Sequence, residues 1–291
     1  MNAETESTAP TPIVKWVGGK RQLQSTLLPL LNKEVNWGKA TYFEPFFGGG
    51  AMLLALQPKR AHFSDLNVGL VNMYRFVRDE PDEFGRKLRE YESKYNVLGL
   101  EEAKHFYLAE REVFNSNPRD GLEMAARFVF LNKAGFNGMY RENSKGGLNI
   151  PFGKRPKISL GEQANIDAVS RVLSGVEMHL QDYKKTVENA VEGDVVYFDP
   201  PYAPLNATSS FTGYTADGFN GEDQEILRDV ALQLTERNVR VVLSNSSAEH
   251  IRTLYKDFEV QEITASRAIS ASAKGRAPVT ELIMTNFGLL K

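Results

Sequence analysis

Val195-Val196-Tyr197-Phe198-Asp199-Pro200-Pro201-Tyr202 is an apolar run that stops abruptly on a carboxylate, two prolines and an aromatic ring. Four consecutive apolar residues bounded by a turn signal read as a strand buried on both faces. Each proline fixes its own φ and restricts the residue before it, so the turn is stiff and its carbonyls point in set directions. A carboxylate, backbone carbonyls and a flat ring in one small space are what the exocyclic amino group of a nucleobase requires: acceptors for two N–H bonds and a stacking surface. A strand that ends in a plain Pro-Pro turn, with Tyr202 as a core aromatic, fits the tetrapeptide taken alone equally well.

Outward from this strand, short strand patterns alternate with helical ones. Strands are expected near Thr41–Glu44, Ala61–Ser64, Glu177–Leu180, Val239–Ser244, Val260–Thr264 and Glu281–Asn286. Helices are expected near Gly19–Leu31, Ala51–Leu56, Val68–Arg78, Glu222–Glu236 and Ala248–Tyr255. The alternation predicts an α/β domain with a mostly parallel sheet, whose ligands bind at the carboxyl ends of the strands. From about Leu70 to Ser174 it breaks down. Helical patterns at Glu83–Tyr95, Glu101–Phe114 and Gly121–Lys133 there precede a Gly-rich basic loop, which predicts a mainly helical insertion.

Composition bounds the reading. At 291 residues, 42% hydrophobic and 25% charged, the chain is long enough for one large domain with an insertion. With no cysteine it has neither a disulfide framework nor a thiolate zinc site. It shows no membrane-span or signal-peptide pattern, and a cytoplasmic protein is expected. Residues 1–12 are small, polar and Pro-containing and are expected to be disordered. The net charge of −2 hides local asymmetry. Arg141, Lys145, Lys154, Arg155 and Lys157 face the single acid Glu142, and Arg267, Lys274 and Arg276 form a second acid-free stretch. Phosphate contacts need local positive potential rather than a basic whole protein.

Three further segments accompany the tetrapeptide: Lys15-Trp16-Val17-Gly18-Gly19-Lys20, then Phe43-Glu44-Pro45-Phe46-Phe47-Gly48-Gly49-Gly50, then Asp65-Leu66-Asn67. In this order and spacing, from about Ile13 to Phe287, they resemble the Dam-type (D12 class, alpha group) DNA adenine-N6 methyltransferases. The resemblance implies a Rossmann-like class I methyltransferase sheet over residues 13–69 and 175–291, interrupted by a target-recognition domain at 70–174. It implies S-adenosyl-L-methionine as cofactor, double-stranded DNA as partner, no metal, and a site-specific adenine methyltransferase, with a monomer sufficient for each strand.

The same resemblance distributes the roles. Glu44, Pro45, Phe46 and Gly48 line the methionine end of the cofactor, and Asp65 binds its ribose hydroxyls. Trp16, Gly18, Gly19 and Lys20 complete the cradle, with Lys20 near the cofactor carboxylate, Asp182 on the adenine amino group and Tyr183 against its ring. Plain alternatives stay open: Asp65 as a helix cap, Trp16 and Tyr183 as core aromatics, Lys20 as a solvated helix start. Asp199 and the Pro200 carbonyl take the two hydrogens of the target amine, and Tyr202 stacks on the flipped base. Phe211 and Tyr214 belong to a loop that closes on that base. Lys15, Phe136, Asn137, Met139, Arg141, Pro151, Lys154 and Arg155 face DNA, Arg141 reading a guanine, Met139 and Pro151 a thymine methyl, and Phe136 wedging into the duplex. The family places a tyrosine where Phe136 stands, which removes a polar contact. The reading segment Asn137 to Pro151 resembles that of GATC-specific members. Three other functions compete: a dinucleotide-dependent oxidoreductase, suggested by the glycine turn and Asp65; a DNA-binding protein with an inactive methyltransferase core; and the same methyl transfer directed to RNA or to a glutamine amide.

Overall fold

The computed structural model describes residues 9–205, 219–265 and 279–289. Among these residues one sheet is built from β1 (Tyr42–Glu44), β2 (Ala61–Asp65), β3 (Val176–Leu180), β4 (Val195–Phe198), β5 (Arg240–Ser246), β6 (Glu259–Ala265) and β7 (Val279–Thr285). Its order is β3-β2-β1-β4-β5-β7-β6. β1 to β5 pair in parallel, whereas β7 is antiparallel to both β5 and β6. The expected α/β class with a mostly parallel, Rossmann-like sheet is the one observed.

The helices are α1 (Gln24–Asn32), α2 (Ala51–Leu56), α3 (Val68–Asp79), α4 (Pro81–Asn96), α5 (Leu100–Ser116), α6 (Leu122–Ala134), α7 (Gln163–Leu173), α8 (Tyr183–Thr186), α9 (Gly221–Glu236) and α10 (Glu249–Leu254). Where one helix was expected from Gly19 to Leu31, a short 3₁₀ turn at Lys20–Leu23 leads into α1.

All four residues of β4 are buried, as a strand covered on both faces requires. Alternate residues enter two cores. Tyr42, Phe63, Val195, Tyr197 and Val242 face one, and Phe43, Val196, Phe198, Val241 and Leu243 face the other. The second core is closed by α9 and α10 through Leu227, Ala231, Leu234 and Ile251. The first runs without a break into the helical insertion, where Tyr74 of α3, Leu88 of α4, Tyr107 of α5 and Phe128 and Phe130 of α6 belong to the same cluster. α6 is buried on nearly every side, and its Arg127 is held by Glu110 at 2.6 Å and Glu123 at 3.4 Å.

Between β2 and β3 no strand occurs among the described residues, only the antiparallel bridges Gly135–Phe152 and Glu142–Leu148. Within the stretch expected to be a disordered tail, the Thr11 amide donates to Asn165 Oδ1 at 2.9 Å, and Asn165 Nδ2 returns a bond to Thr11 O at 3.0 Å. Among the described residues no helix is long and apolar enough to cross a membrane.

Candidate active site

From β1 the sheet grows outward through β2 and β3, and from β4 through β5 in the opposite direction. The crevice at the carboxyl ends of β1 and β4 is therefore the topological switch point, where open α/β sheets bind ligands. Glu44 ends β1 and Asp199 follows β4, so both residues lie at this end of the sheet.

Asp199 is held by groups from distant segments. The Lys20 ammonium lies 2.7 Å from Asp199 Oδ1, and the Ser244 hydroxyl donates to the same oxygen at 3.0 Å. Lys20 is only 5% exposed. Its ammonium also donates to Gly18 O at 2.6 Å and sits 4.7 Å from the centre of the Tyr202 ring. Lys20, expected beside the cofactor carboxylate, is thus engaged by the tetrapeptide. The Tyr202 hydroxyl donates to Glu281 Oε2 of β7 at 2.7 Å, and the Tyr197 and Ser244 hydroxyls are 3.0 Å apart. Burial pushes the Asp199 carboxyl above the ordinary aspartate value; Lys20 and Ser244 pull it back, and Glu281 adds to the rise. Glu44 is buried more completely, and its carboxyl is pushed up to about 8, although the Tyr42 hydroxyl donating to it at 3.0 Å opposes the shift.

The turn itself is fixed by two buried amides. Gln224 Nε2 donates to Pro201 O at 3.0 Å, Asn245 Nδ2 donates to Gln224 Oε1 at 2.9 Å, and the Ala203 amide donates to Asn245 Oδ1 at 3.1 Å. Gln224 and Asn245 are 1% and 0% exposed, so the chain on either side of Tyr202 is tied to α9 and β5 away from competing water. Pro200 is buried between Asp199 and this clamp.

Across the crevice lies the glycine turn Pro45 to Gly50. Gly48 and Gly50 have φ of +53° and +70°, and a Cβ at Gly48 would stand 2.8 Å from Cδ1 of Trp16. Asp65 is half-buried and organises this turn: Oδ2 accepts from the Gly48 amide and Oδ1 from the Asn67 amide, both at 2.9 Å. The cap of α3 is Asn67, whose side chain accepts from the Leu70 amide, rather than Asp65. The Trp16 ring stacks on Tyr140 of the insertion at 5.2 Å, and Gly18 and Gly19 follow it in a turn in which Gly18 has φ of +80°. Phe46 stacks on Tyr183 at 5.1 Å, with Phe198 and Phe219 edge-on to Phe46. Asp182 caps α8 by accepting from the Lys184 amide at 2.9 Å.

A family model described as D12 class N6 adenine-specific DNA methyltransferase matches residues 16–269. The chain belongs to that family. It is 39% identical over 286 residues, 95% of each chain, to the Type II methyltransferase M1.LlaDCHI of Lactococcus lactis subsp. cremoris. It is 36% identical over 285 residues to the Type II methyltransferase M.MjaIII of Methanocaldococcus jannaschii, covering 95% of this chain and 99% of that one. With the DNA adenine methylase of Escherichia coli K12 it shares 32% identity over 270 residues, 93% of each. Family membership sets aside the oxidoreductase reading.

In this D12-class methyltransferase the segment between β2 and β3 carries Arg141, Lys154 and Arg155. Asn132, 3% exposed, accepts from the Lys15 amide at 2.9 Å and donates to Lys15 O at 2.9 Å and Gly138 O at 3.0 Å. It thereby joins the segment preceding Trp16 to the loop after α6. That loop turns through Asn137 and Gly138, both at positive φ, and a Cβ at Gly138 would stand 2.6 Å from Cδ of Lys15. Phe136 is 40% exposed, and its amide donates to Pro151 O at 2.9 Å. Met139 is half-buried against the core. Arg141 is exposed and donates to Asn149 O at 2.8 Å, across a hairpin whose tip is closed by Asn143 and Gly147. Arg119 braces the hairpin through Tyr140, Glu142 and Gly146 O. Lys154 is exposed at positive φ. Lys15 is held below the ordinary lysine value by burial and then by Arg155, and Lys133 by burial, then by Lys15 and Arg155.

Phe211 and Tyr214, together with the stretch from Arg267 to Arg276, lie outside the described residues. Glu281, Gln224 and the Lys20–Asp199 pair were not foreseen as parts of one site. Glu281 carried a signal, being the one acid in the apolar strand Val279–Thr285.

Proposed function

We propose that this adenine-specific DNA methyltransferase transfers a methyl group from S-adenosyl-L-methionine to N6 of an adenine extruded from double-stranded DNA, within GATC, acting as a monomer. The observation that carries the reading is Asp199 at the switch point, with its carboxylate fixed at Oδ1 by Lys20 and Ser244 and the Tyr202 ring beside it. The donor set suits the cofactor. Asp65 accepts from the Gly48 amide at Oδ2 and from the Asn67 amide at Oδ1, which leaves lone pairs for two ribose hydroxyls. Glu44 and Phe46 line the methionine side, with Trp16, Gly18 and Gly19 closing over it. Asp182 and Tyr183 face the adenine moiety.

When bound, the cofactor supplies an electrophilic sulfonium methyl. The chain's own residues prepare the amine. Asp199 Oδ2 and the Pro200 carbonyl accept its two hydrogens, which draws the nitrogen toward tetrahedral geometry and frees its lone pair from the ring. The Asp199 charge stabilises the positive charge that grows on N6, and its Oδ2, already hydrogen-bonded to the amine, takes the proton that the methylated nitrogen must release. The Gln224–Asn245 clamp keeps both acceptors in line and so lowers the entropic part of the barrier. Lys20 shares Oδ1 with Ser244 and holds the aspartate ionised and oriented. Extrusion of the base costs a few kcal/mol, which Tyr202 stacking offsets. Arg141 reads a guanine and Met139 with Pro151 a thymine methyl. Phe136 fills the gap in the duplex, Asn137 shapes the loop, and Lys15, Lys154 and Arg155 meet phosphates.

Duplexes that differ only at one GATC, incubated with labelled cofactor, test the reading. Label is expected as N6-methyladenine in the GATC duplex alone. Adenine label outside GATC overturns the sequence assignment, and no adenine label overturns the reaction.

A further inference from the structure

The edge of the sheet carries a cluster that methyl transfer does not use. β3 is the edge strand, and it runs parallel to β2 with His62 opposite Glu177 and Ser64 opposite His179. Paired residues, and residues two apart on one strand, share a face, so His62, Glu177 and His179 project together. His62 Nδ1 lies 3.3 Å from Glu177 Oε2, and His179 Nε2 lies 3.5 Å from the same oxygen. The three ligand atoms all lie within 4.8 Å of one another. The His62 ring is fixed by stacking on Phe43 at 4.9 Å, and the His179 ring runs nearly parallel to it at 6.4 Å.

We propose that His62, Glu177 and His179 form a binding site for a divalent transition-metal ion, with zinc the ion this ligand set suits. Tetrahedral zinc with ligands at about 2.0–2.1 Å has edges of about 3.4 Å between ligand atoms. Two of the three edges stand at that length, and the third closes when the two imidazoles tilt toward each other. Two imidazoles and one carboxylate are a borderline-soft set that favours zinc over magnesium or calcium, and water completes the fourth position. The Glu177 side chain is 67% exposed, so an ion enters without opening the core. His62 is the second residue of β2, while the crevice lies at the strands' opposite ends. The metal is therefore structural, a clamp that ties the edge strand β3 to β2.

Zinc alone, titrated calorimetrically into the metal-stripped full-length chain, tests the site. The chain has four histidines and no cysteine, so few other groups compete. One equivalent of zinc should bind, and it should raise the melting temperature. His62→Gln and His179→Gln should each weaken binding by about tenfold or more, since loss even of an outer-shell partner costs that much. Glu177→Gln should do the same, and because its side chain is solvent-exposed this variant keeps the test valid if a histidine variant fails to fold. His105→Gln and His250→Gln should bind as the unaltered chain does. Absence of saturable zinc binding, or binding unchanged in Glu177→Gln and in both His62→Gln and His179→Gln, overturns the proposal.

Discussion

Glu44 is a carboxyl group whose protonation the fold controls. Its folded value near 8 stands above an ordinary 4.5 because it is buried at the end of β1. Between those values the folded protein holds a proton that the unfolded chain has released, so stability falls as pH rises through the window. Below it both states are protonated, and above it both are ionised. Glu44→Gln carries no such proton and still accepts from Tyr42. Thermal melts of the cofactor-free protein should show the variant gaining on the unaltered chain from pH 5 to pH 8, and a constant gap would contradict this. Asp199 is shifted in the same direction, and Lys20 opposes the shift. The acid limb of the kcat/KM profile should therefore lie above the range of an ordinary aspartate. Lys20→Met should move it further up as well as slow the reaction; a limb that stays put would detach Lys20 from Asp199. Chemistry at this scale was partly legible. The Asp-Pro-Pro-Tyr turn and Ser244 at the end of the next strand stood out in the sequence, whereas Glu281 reaches Tyr202 from a strand that sequence distance separates from it.

Elements were legible where period and punctuation agreed. β4 stood out as four apolar residues ended by prolines, and α3 to α6 by their helical spacing. α7 was not legible even though Ile166, Val169 and Leu173 recur at helical intervals, because its N-cap Glu162 makes no side-chain capping bond and no capping signal marks its start. α8 is a single turn and too short for periodicity to register. What joins elements was not legible at all. Asn132 ties α6 to Lys15, and a lone asparagine in an apolar helix gives no hint of its partners. Asn132→Ala leaves the Lys15 amide and the Lys15 and Gly138 carbonyls unpaired, at about 1–3 kcal/mol for each buried group. Chemical denaturation should show a loss of that order, and DNA affinity should fall because the loop from Phe136 to Met139 loses its anchor. An unchanged midpoint would mean that water replaces the side chain. Beyond the hairpin, Lys154→Ala and Arg155→Ala should weaken DNA binding across all sequences and flatten its salt dependence. Arg141→Ala should instead cost about 1–3 kcal/mol of discrimination at one guanine. Equal losses on matched and mismatched sites for all three variants would reduce Arg141 to a phosphate contact.

At the scale of the molecule, the strand order places every motif at one end of the sheet. Glu44, Asp65, Asp182, Asp199 and Ser244 are far apart in sequence, yet all stand at or just beyond the carboxyl ends of β1 to β5. The helices between β2 and β3 share the first core with the sheet, so the two pack as one body. The alternation of strands and helices made this layout readable from sequence; the continuity of the core did not, because buried aromatics on α6 do not say what they pack against. The central claim is that Asp199 acts on the target amine rather than on the cofactor. Single-turnover methyl transfer by Asp199→Ala, with cofactor affinity measured on the same folded protein, tests it most directly. The account predicts that transfer is abolished while the dissociation constant for S-adenosyl-L-methionine stays within about tenfold, or about 1.4 kcal/mol. Near-normal transfer on duplex DNA, or a loss explained entirely by weakened cofactor binding, would contradict it.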